Sequence, residues 1–386
     1  MDASITAEVD ILRSLVGFDT TSRRSNLELI DWVEPFAVRC GARVTRVSSG
    51  DGTKANLLAV IGPPVAGGIV LSGHTDVVPV DGQPWTSDPW TLTEREGRLY
   101  GRGAADMKGF LALLLGALDP ALAKALKRPL VLAFSYDEEV GCLGAPALIA
   151  QLQRSVPAPA AVIIGEPTLM QVVSAHKGIR LFEVEVTGKE AHSSSRGIGT
   201  SAITAAVELM ALVEQLNRES AAGHRGPSLF APPGTTLTVG LVQGGTAANI
   251  LARRCCFTWD LRAECEADAD RFECRFIEAA DELTARLRAV SPTCGVQVAR
   301  TASVPALAAD PSSPAEAVAR ALTGDRGSTG VPFVAEAGLF SRAGLPAVLC
   351  GPGSIDQAHQ PDEWIALEQL VAGRQFVRSV IQELST

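Results

Sequence analysis

No Cys-x-x-Cys pair occurs among the eight cysteines of this 386-residue chain (Cys40, Cys142, Cys255, Cys256, Cys265, Cys274, Cys294 and Cys350), which speaks against a cysteine-held zinc. A chain of this length can hold its core by burial, so a disulfide scaffold is not expected either. There is no basic run. Lys and Arg total 34 against 43 acidic residues, a formal charge of −9, and that balance argues against nucleic acid or an anionic membrane as partner. No apolar stretch approaches the ~20 residues of a spanning helix; the longest lies near 110–118. The N-terminal MDASITAEVDILRSL carries acid where a secretory leader would carry positive charge, so the expected compartment is the cytoplasm. Internal repeats and low-complexity tracts are absent. What remains is 46% hydrophobic and 20% charged, with a mean hydropathy of +0.18. That is the composition of a soluble folded protein, long enough for more than one core.

Short runs rich in Val, Ile and Leu mark buried strands in the first half: ANLLAVIG (55–62), GIVLSGH (68–74), PLVLAFSYDEE (129–139) and AAVIIGEP (160–167). Between them, 107–126 reads as a helix packed on the sheet. Strands alternating with helices predict an α/β domain with a mostly parallel sheet. After Gly178 the pattern changes. LFEVEVTG (181–188) alternates at period two, as a strand with one wet face does. A helix at about 200–218, the Gly- and Pro-rich loop 223–234, strands at 235–245 and 253–263, a helix at about 268–290 and a strand at 294–300 follow. This β-α-β-β-α-β order predicts a two-layer α+β unit. Beyond about Ala302, a helix at 313–323, a strand at 345–353 and a helix at 362–384 restore α/β character. The expected division is a catalytic domain, 1–178 and 302–386, with a lid, 179–301, inserted into it.

Four places put a carboxylate or histidine at or just beyond an apolar strand-like run: GHTDVVP (73–79), YGRGAADMKG (100–109), SYDEEVG (135–141) and IIGEPT (163–168). In open α/β sheets, ligands bind beyond the carboxyl ends of the strands. Charge is costly there unless paired or bound to metal. His74, Asp106, Glu139, Glu166 and His359 supply two imidazoles and three carboxylates, the nitrogen and oxygen set that zinc takes. Two neighbouring metals can share a bridging carboxylate in hydrolytic sites. Asp76 is spaced to orient the His74 ring. Glu138, beside Glu139, is free to take a proton from water.

Each residue alone has an ordinary reading. Asp106 suits a helix cap, Glu138 and Glu139 suit a solvated strand end, Glu166 before Pro167 suits an exposed turn, and His359 suits a loop. The argument is the set. GRGAAD departs from the dinucleotide fingerprint because Asp106 stands at the third glycine and would repel a pyrophosphate. No Gly-x-Ser-x-Gly elbow occurs, and HSSS (192–195) follows a lid strand, so a serine nucleophile is not supported.

Together these motifs resemble the acetylornithine deacetylase / succinyl-diaminopimelate desuccinylase family of zinc-dependent amidohydrolases. The likeness runs from about Ile11 to Leu370. It is strongest over 73–110, and SYDEEVG, IIGEPT, AHKG (175–178) and GPGSIDQAHQPDEW (351–364) recur in the family's order. The resemblance implies a zinc-peptidase-like catalytic domain with a ferredoxin-like lid and dimerisation domain. It also implies two Zn2+ per subunit, with Co2+ or Mn2+ as substitutes. His74 and Glu166 would hold one ion, Glu139 and His359 the other, and Asp106 would bridge them, followed by a cis peptide to Met107. Asp76 would support His74, Glu138 would be the acid/base, and His192 would reach the oxyanion from the partner subunit of a homodimer. Ala191 stands where many relatives have Gly. Asn249 and Arg262 look like the lid residues that hold the substrate α-carboxylate, Arg262 by a bidentate fork; the ordinary alternative pairs Arg262 with a neighbouring strand carboxylate.

The implied reaction is hydrolysis of an N-acyl amino acid. AHKG, FVAEAG (333–338) and the SIDQAHQPDEW ending look nearest to acetylornithine deacetylase, which acts in arginine biosynthesis. On that reading Glu336 would meet the ornithine ammonium. The alternatives are another N-acyl amino acid, a succinyl substrate, a dipeptide, or a non-catalytic metal-dependent binding protein; the last would have no need of Glu138.

Overall fold

A computed structural model describes residues 5–195, 197–225, 228–327 and 329–386. Gly226 and Pro227 of the expected loop 223–234, and the first four residues of the N-terminal segment, lie outside the described residues. The chain forms two compact units. The first comprises Met1–Ala175, Ala309–Thr329 and Ala335–Thr386, and the second His176–Ala308 with Gly330–Val334. The main stretch of the second unit thus runs from His176 to Ala308, and a short later segment joins it. Its attachment has a visible cause: Lys177 N–H donates to the Val331 carbonyl at 3.3 Å, and Gly330 lies so close to Leu229 that a Cβ would stand 2.8 Å from the leucine Cβ.

In the first unit, neighbouring strands run Arg43–Ser48, Ala55–Ile61, Leu130–Ser135, Ile69–His74, Ala161–Ile164, Ala347–Leu349 and Val173–His176. The expected parallel sheet holds for the middle of this order. Ile69–His74 is parallel to both Leu130–Ser135 and Ala161–Ile164, which in turn is parallel to Ala347–Leu349. The flanks are antiparallel: Ala55–Ile61 against both of its neighbours, and Leu349 against Val173. An apolar run such as ANLLAVI reports burial on both faces, and burial does not encode direction.

The predicted helix 107–126 is shorter and broken. It spans Gly109–Gly116, and a separate turn covers Leu122–Ala125. Pro120 between them has no N–H to continue the ladder. Residues 109–115 are buried on every side, as expected of an apolar helix with no polar face. Its Phe110 ring seats directly on Gly165, where a Cβ would fall 2.0 Å from the ring. That glycine lets the strand bearing Glu166 close onto the helix that follows Asp106.

The second unit matches the expected order, with helices Ala202–Gly223 and Glu266–Arg288 and a sheet ordered Thr236–Gly244, Arg254–Ala263, Gly178–Thr187, Gly295–Val304. All three strand pairings are antiparallel. Burial alternates residue by residue along Arg254–Ala263, the signature of a sheet with one covered face. Phe182 and Trp259 stack with centroids 4.3 Å apart, and Phe276 from the second helix lies 4.5 Å from Trp259. Among the described residues no helix is long and apolar enough to cross a membrane.

His176 is fully buried, and its Nδ1 donates to the Lys177 carbonyl at 3.0 Å. Burial pushes this imidazole down to about 4, against a smaller upward pull from that bond. The unfolded chain binds a proton near pH 6.5 that the folded chain refuses. Stability is therefore full above that pH, declines as pH falls, and levels off below about 4. The expected loss is about 3 kcal/mol. Urea unfolding at stepped pH should show it, and His176→Asn, which keeps the bond to the carbonyl without a titrating ring, should flatten that limb.

Candidate active site

The parallel strands place their ends side by side. His74 closes Ile69–His74, Glu138 and Glu139 follow Leu130–Ser135, and Glu166 follows Ala161–Ile164. Asp106 sits before the buried helix in a turn where Gly103 has φ +81°. A side chain at Gly103 would also come within 2.8 Å of Val77, so both the backbone and the space require glycine. The Asp106–Met107 peptide is cis, as the resemblance implies.

His74 Nε2 lies 2.9 Å from Asp106 Oδ1 and 4.0 Å from Glu166 Oε1. His359 Nε2 lies 3.4 Å from Asp106 Oδ2 and 3.0 Å from Glu139 Oε2. The two oxygens of Asp106 thus face different histidines. Donor atoms of His74, Asp106 and Glu139 lie within 4.8 Å of one another. His74 Nδ1 donates to the main-chain carbonyl of Asp76 at 2.9 Å, which fixes the ring with Nε2 facing the carboxylates. Asp76 thus meets the His74 ring through its main-chain carbonyl. Its carboxylate is 3.8 Å from the ring and accepts instead from Glu138 N–H (3.1 Å), Glu139 N–H (3.2 Å) and Ser22 Oγ (2.7 Å). It shapes the turn bearing the two glutamates, which begins at Asp137 with φ +57°.

The charges are badly matched without cations. Burial, then the charge of Glu166, holds Glu138 well above the usual carboxylate range. Burial, then Asp106, raises Glu166 likewise and lifts Glu139 to about 7. Asp106 is held low despite its burial, because both histidines hydrogen-bond to it. For His74, burial opposes the charge, but Asp106, Glu166 and Glu138 outweigh it and push the ring up. His359, half exposed, rises to about 10 through its bonds to Asp106 and Glu139. Glu166 Oε1 is buried with no hydrogen-bond partner among the described residues. Hard and borderline cations would satisfy this set of converging oxygens and imidazole nitrogens, so the residues fit a metal centre.

Glu336 is 1% exposed. It precedes the helix Ala337–Arg342, and its Oε2 accepts from Ser72 Oγ at 3.5 Å. It lies behind the strand ends and is closed to solvent. His192, Asn249 and Arg262 belong to the second unit. His192 is exposed, with Nδ1 2.7 Å from Ser194 Oγ, and Ser193 N–H donates to the Asn249 carbonyl at 2.9 Å. These two segments are therefore neighbours. Arg262 Nε is 3.2 Å from Asp260 Oδ2 on its own strand, the ordinary pairing weighed for it above. Ser22, Gln83, Arg102 and Glu363, which hold the site's loops, were not legible in the sequence, because polar residues in loops carry no periodic signal.

The profile of the peptidase family M20/M25/M40 matches residues 70–383. The chain belongs to this family. An acetylornithine deacetylase from Myxococcus xanthus is 37% identical over 374 residues, covering 93% of each chain. One from Proteus mirabilis (strain HI4320) is 33% identical, covering 96% of this chain and 93% of its own. Among solved structures, a dinuclear metal-binding peptidase of the M20 family from Bacillus subtilis superposes with a TM-score of 0.68 at 16% identity, covering 99% of this chain and 98% of that one. As a member of the M20 family the chain is a metal-dependent amidohydrolase.

Among the described residues, the Asp76 carboxylate is the one acceptor for the Glu138 and Glu139 N–H groups. Asp76→Ala should therefore lower the stability of the metal-free protein by about 1–3 kcal/mol, the cost of leaving buried donors unpaired, while Asp76→Asn, which keeps one oxygen, should cost less. Urea unfolding of the metal-free forms measures both.

Proposed function

We propose that this M20 enzyme removes the acyl group from an N-acyl amino acid, with N2-acetyl-L-ornithine as substrate and L-ornithine and acetate as products. The observation that carries the catalytic part is the split of Asp106, with Oδ1 toward His74 and Oδ2 toward His359. That is the orientation a bridging carboxylate takes. His74 and Glu166 would hold one Zn2+, Glu139 and His359 the other. Bound there, zinc supplies Lewis-acid polarisation of the acyl oxygen and a lowered pKa for the attacking water. The substrate part draws on the two relatives that share more than nine-tenths of their length with this chain and are named for acetylornithine.

The chain's own residues divide the remaining work. Glu138 takes a proton from the water as its oxygen adds to the acyl carbon, and returns that proton to the amine as the C–N bond breaks. Asp76 keeps Glu138 in place through its N–H. His192, from the partner subunit of a homodimer, donates a hydrogen bond to the oxyanion. Asn249 and Arg262 receive the α-carboxylate, Arg262 exchanging its bond to Asp260 for the substrate. Glu336, expected to meet the ornithine ammonium, is closed to solvent and is left out of the substrate contacts. The cytoplasm is the expected place of action.

Glu138→Gln should bind two equivalents of metal as the parent does and lose turnover by about 10²–10⁴-fold. A variant with near-parent kcat would remove Glu138 from the proton transfers. Chelation should abolish activity, and Zn2+ or Co2+ should restore it as two equivalents are taken up. Assays of the restored enzyme with N-acetylornithine, N-succinyl-diaminopimelate and other acyl amino acids test the substrate. A higher kcat/KM on the succinyl compound would reassign it without touching the metal centre.

A further inference from the structure

The carboxylate of Glu363 is almost wholly enclosed, at 1% exposure. Its Oε1 accepts from the N–H groups of Ala105 (2.9 Å) and Asp106 (3.0 Å), and its Oε2 from Gly103 N–H (2.9 Å) and Arg102 Nη1 (2.8 Å). Three backbone N–H groups of the turn that ends in Asp106 thus hang on one side chain. Arg102, equally buried, continues outward: its Nη2 donates to Gln83 Oε1 at 2.5 Å. Gln83 Oε1 also accepts from Trp85 Nε1 at 3.0 Å, and the Arg102 guanidinium lies over the Trp85 ring at 5.0 Å. At its other end, Gln83 Nε2 donates to the main-chain carbonyl of His359 at 2.9 Å.

We infer that Gln83, Arg102 and Glu363 form one continuous brace between Asp106 and His359, and that Gln83 is a positioning residue for His359. The inference rests on the reading of Asp106 and His359 as metal-holding residues. The brace answers a specific need. His359 and Asp362 have φ values of +63° and +54°, a region non-glycine residues leave unless their surroundings hold them. The loop between them is tethered at both points: Gln83 holds the His359 carbonyl, and Thr86 donates through N–H and Oγ1, each at 2.9 Å, to the Asp362 carboxylate. His359 is half exposed and its ring is fixed by no second-nitrogen bond among the described contacts, unlike His74. Its placement depends on its backbone, and its backbone depends on Gln83. Groups behind a ligand that fix its direction typically govern metal affinity by about 10–100-fold.

The discriminating variant is Gln83→Glu. It keeps an oxygen for Arg102 and Trp85 but replaces the donor to the His359 carbonyl with a second acceptor. Metal-free parent and Gln83→Glu would be titrated with Co2+ by calorimetry, with visible absorption recorded at each equivalent, and the metal-free forms melted in parallel. The expected result is one of two equivalents weakened by about 10–100-fold, with an altered absorption band. The other equivalent and the metal-free melting temperature should remain close to the parent's. Gln83→Ala, which loses both halves of the contact, should weaken the same equivalent at least as much. Isotherms and spectra matching the parent overturn the brace, as does a lowered melting temperature with unchanged isotherms, since that is scaffold loss alone. A parent that binds no Co2+ overturns the metal reading itself, and the brace with it.

Discussion

Asp106, Glu138, Glu139 and Glu166 share a buried space at one sheet edge, and their mutual repulsion in a medium of low polarity is the constraint that organises the first unit. Neither histidine can neutralise the group alone. His74 is committed through Nδ1 to the Asp76 carbonyl, and His359 already faces two carboxylates. The three glutamates rise above their usual range because each is desolvated beside another carboxylate. Cations reverse that situation, turning repulsion among oxygens into a shared attraction. The Asp76 carboxylate, the Glu363 carboxylate and the close seat of Phe110 on Gly165 all serve to keep oxygens that repel one another from swinging apart.

The division of labour among the acids follows from what each oxygen touches. Asp76 and Glu363 have their lone pairs occupied by N–H groups, so they hold backbone. Asp106 and Glu139 meet imidazole nitrogens, and Glu166 leaves Oε1 without a partner; these have capacity to spare. Glu138 contacts no histidine closely, and the thiol of Cys142 approaches its Oε1 at 3.5 Å. A carboxylate with such weak ties suits the proton transfers proposed for Glu138.

Much of this could be read in the chain itself. His74, Glu139 and Glu166 stand at the ends of apolar runs, and a run of Val, Ile and Leu announces its strand plainly. The second unit was legible almost element by element, because its strands alternate at period two and its sheet has a single covered face. Strand direction was not: Ala55–Ile61 is as apolar as its neighbours and runs the other way. The helix after Asp106 stops earlier than its apolar pattern predicts, because an all-apolar segment has no polar face to mark its end, and only Pro120 records the break. Glu363 lies within GPGSIDQAHQPDEW (351–364), yet its role is hidden, since nothing local distinguishes a carboxylate that binds three backbone N–H groups from one in solvent. The Asp76 carbonyl was hidden for a simpler reason, as every residue has one.

The second unit interrupts the first in sequence, and this arranges events in time as well as space. On a growing chain, His74, Asp106, Glu139 and Glu166 all emerge before the inserted unit, whereas His359 and Glu363 follow it. Strand Ala347–Leu349, which lies parallel to Ala161–Ile164, is also made late, so the middle of the sheet stays unfinished until the insertion has been synthesised. Closing such a long loop costs little more entropy than closing a moderate one, and an insertion that folds by itself brings its two ends together. A nascent chain therefore carries most of an acidic pocket well before it has the loop that completes it.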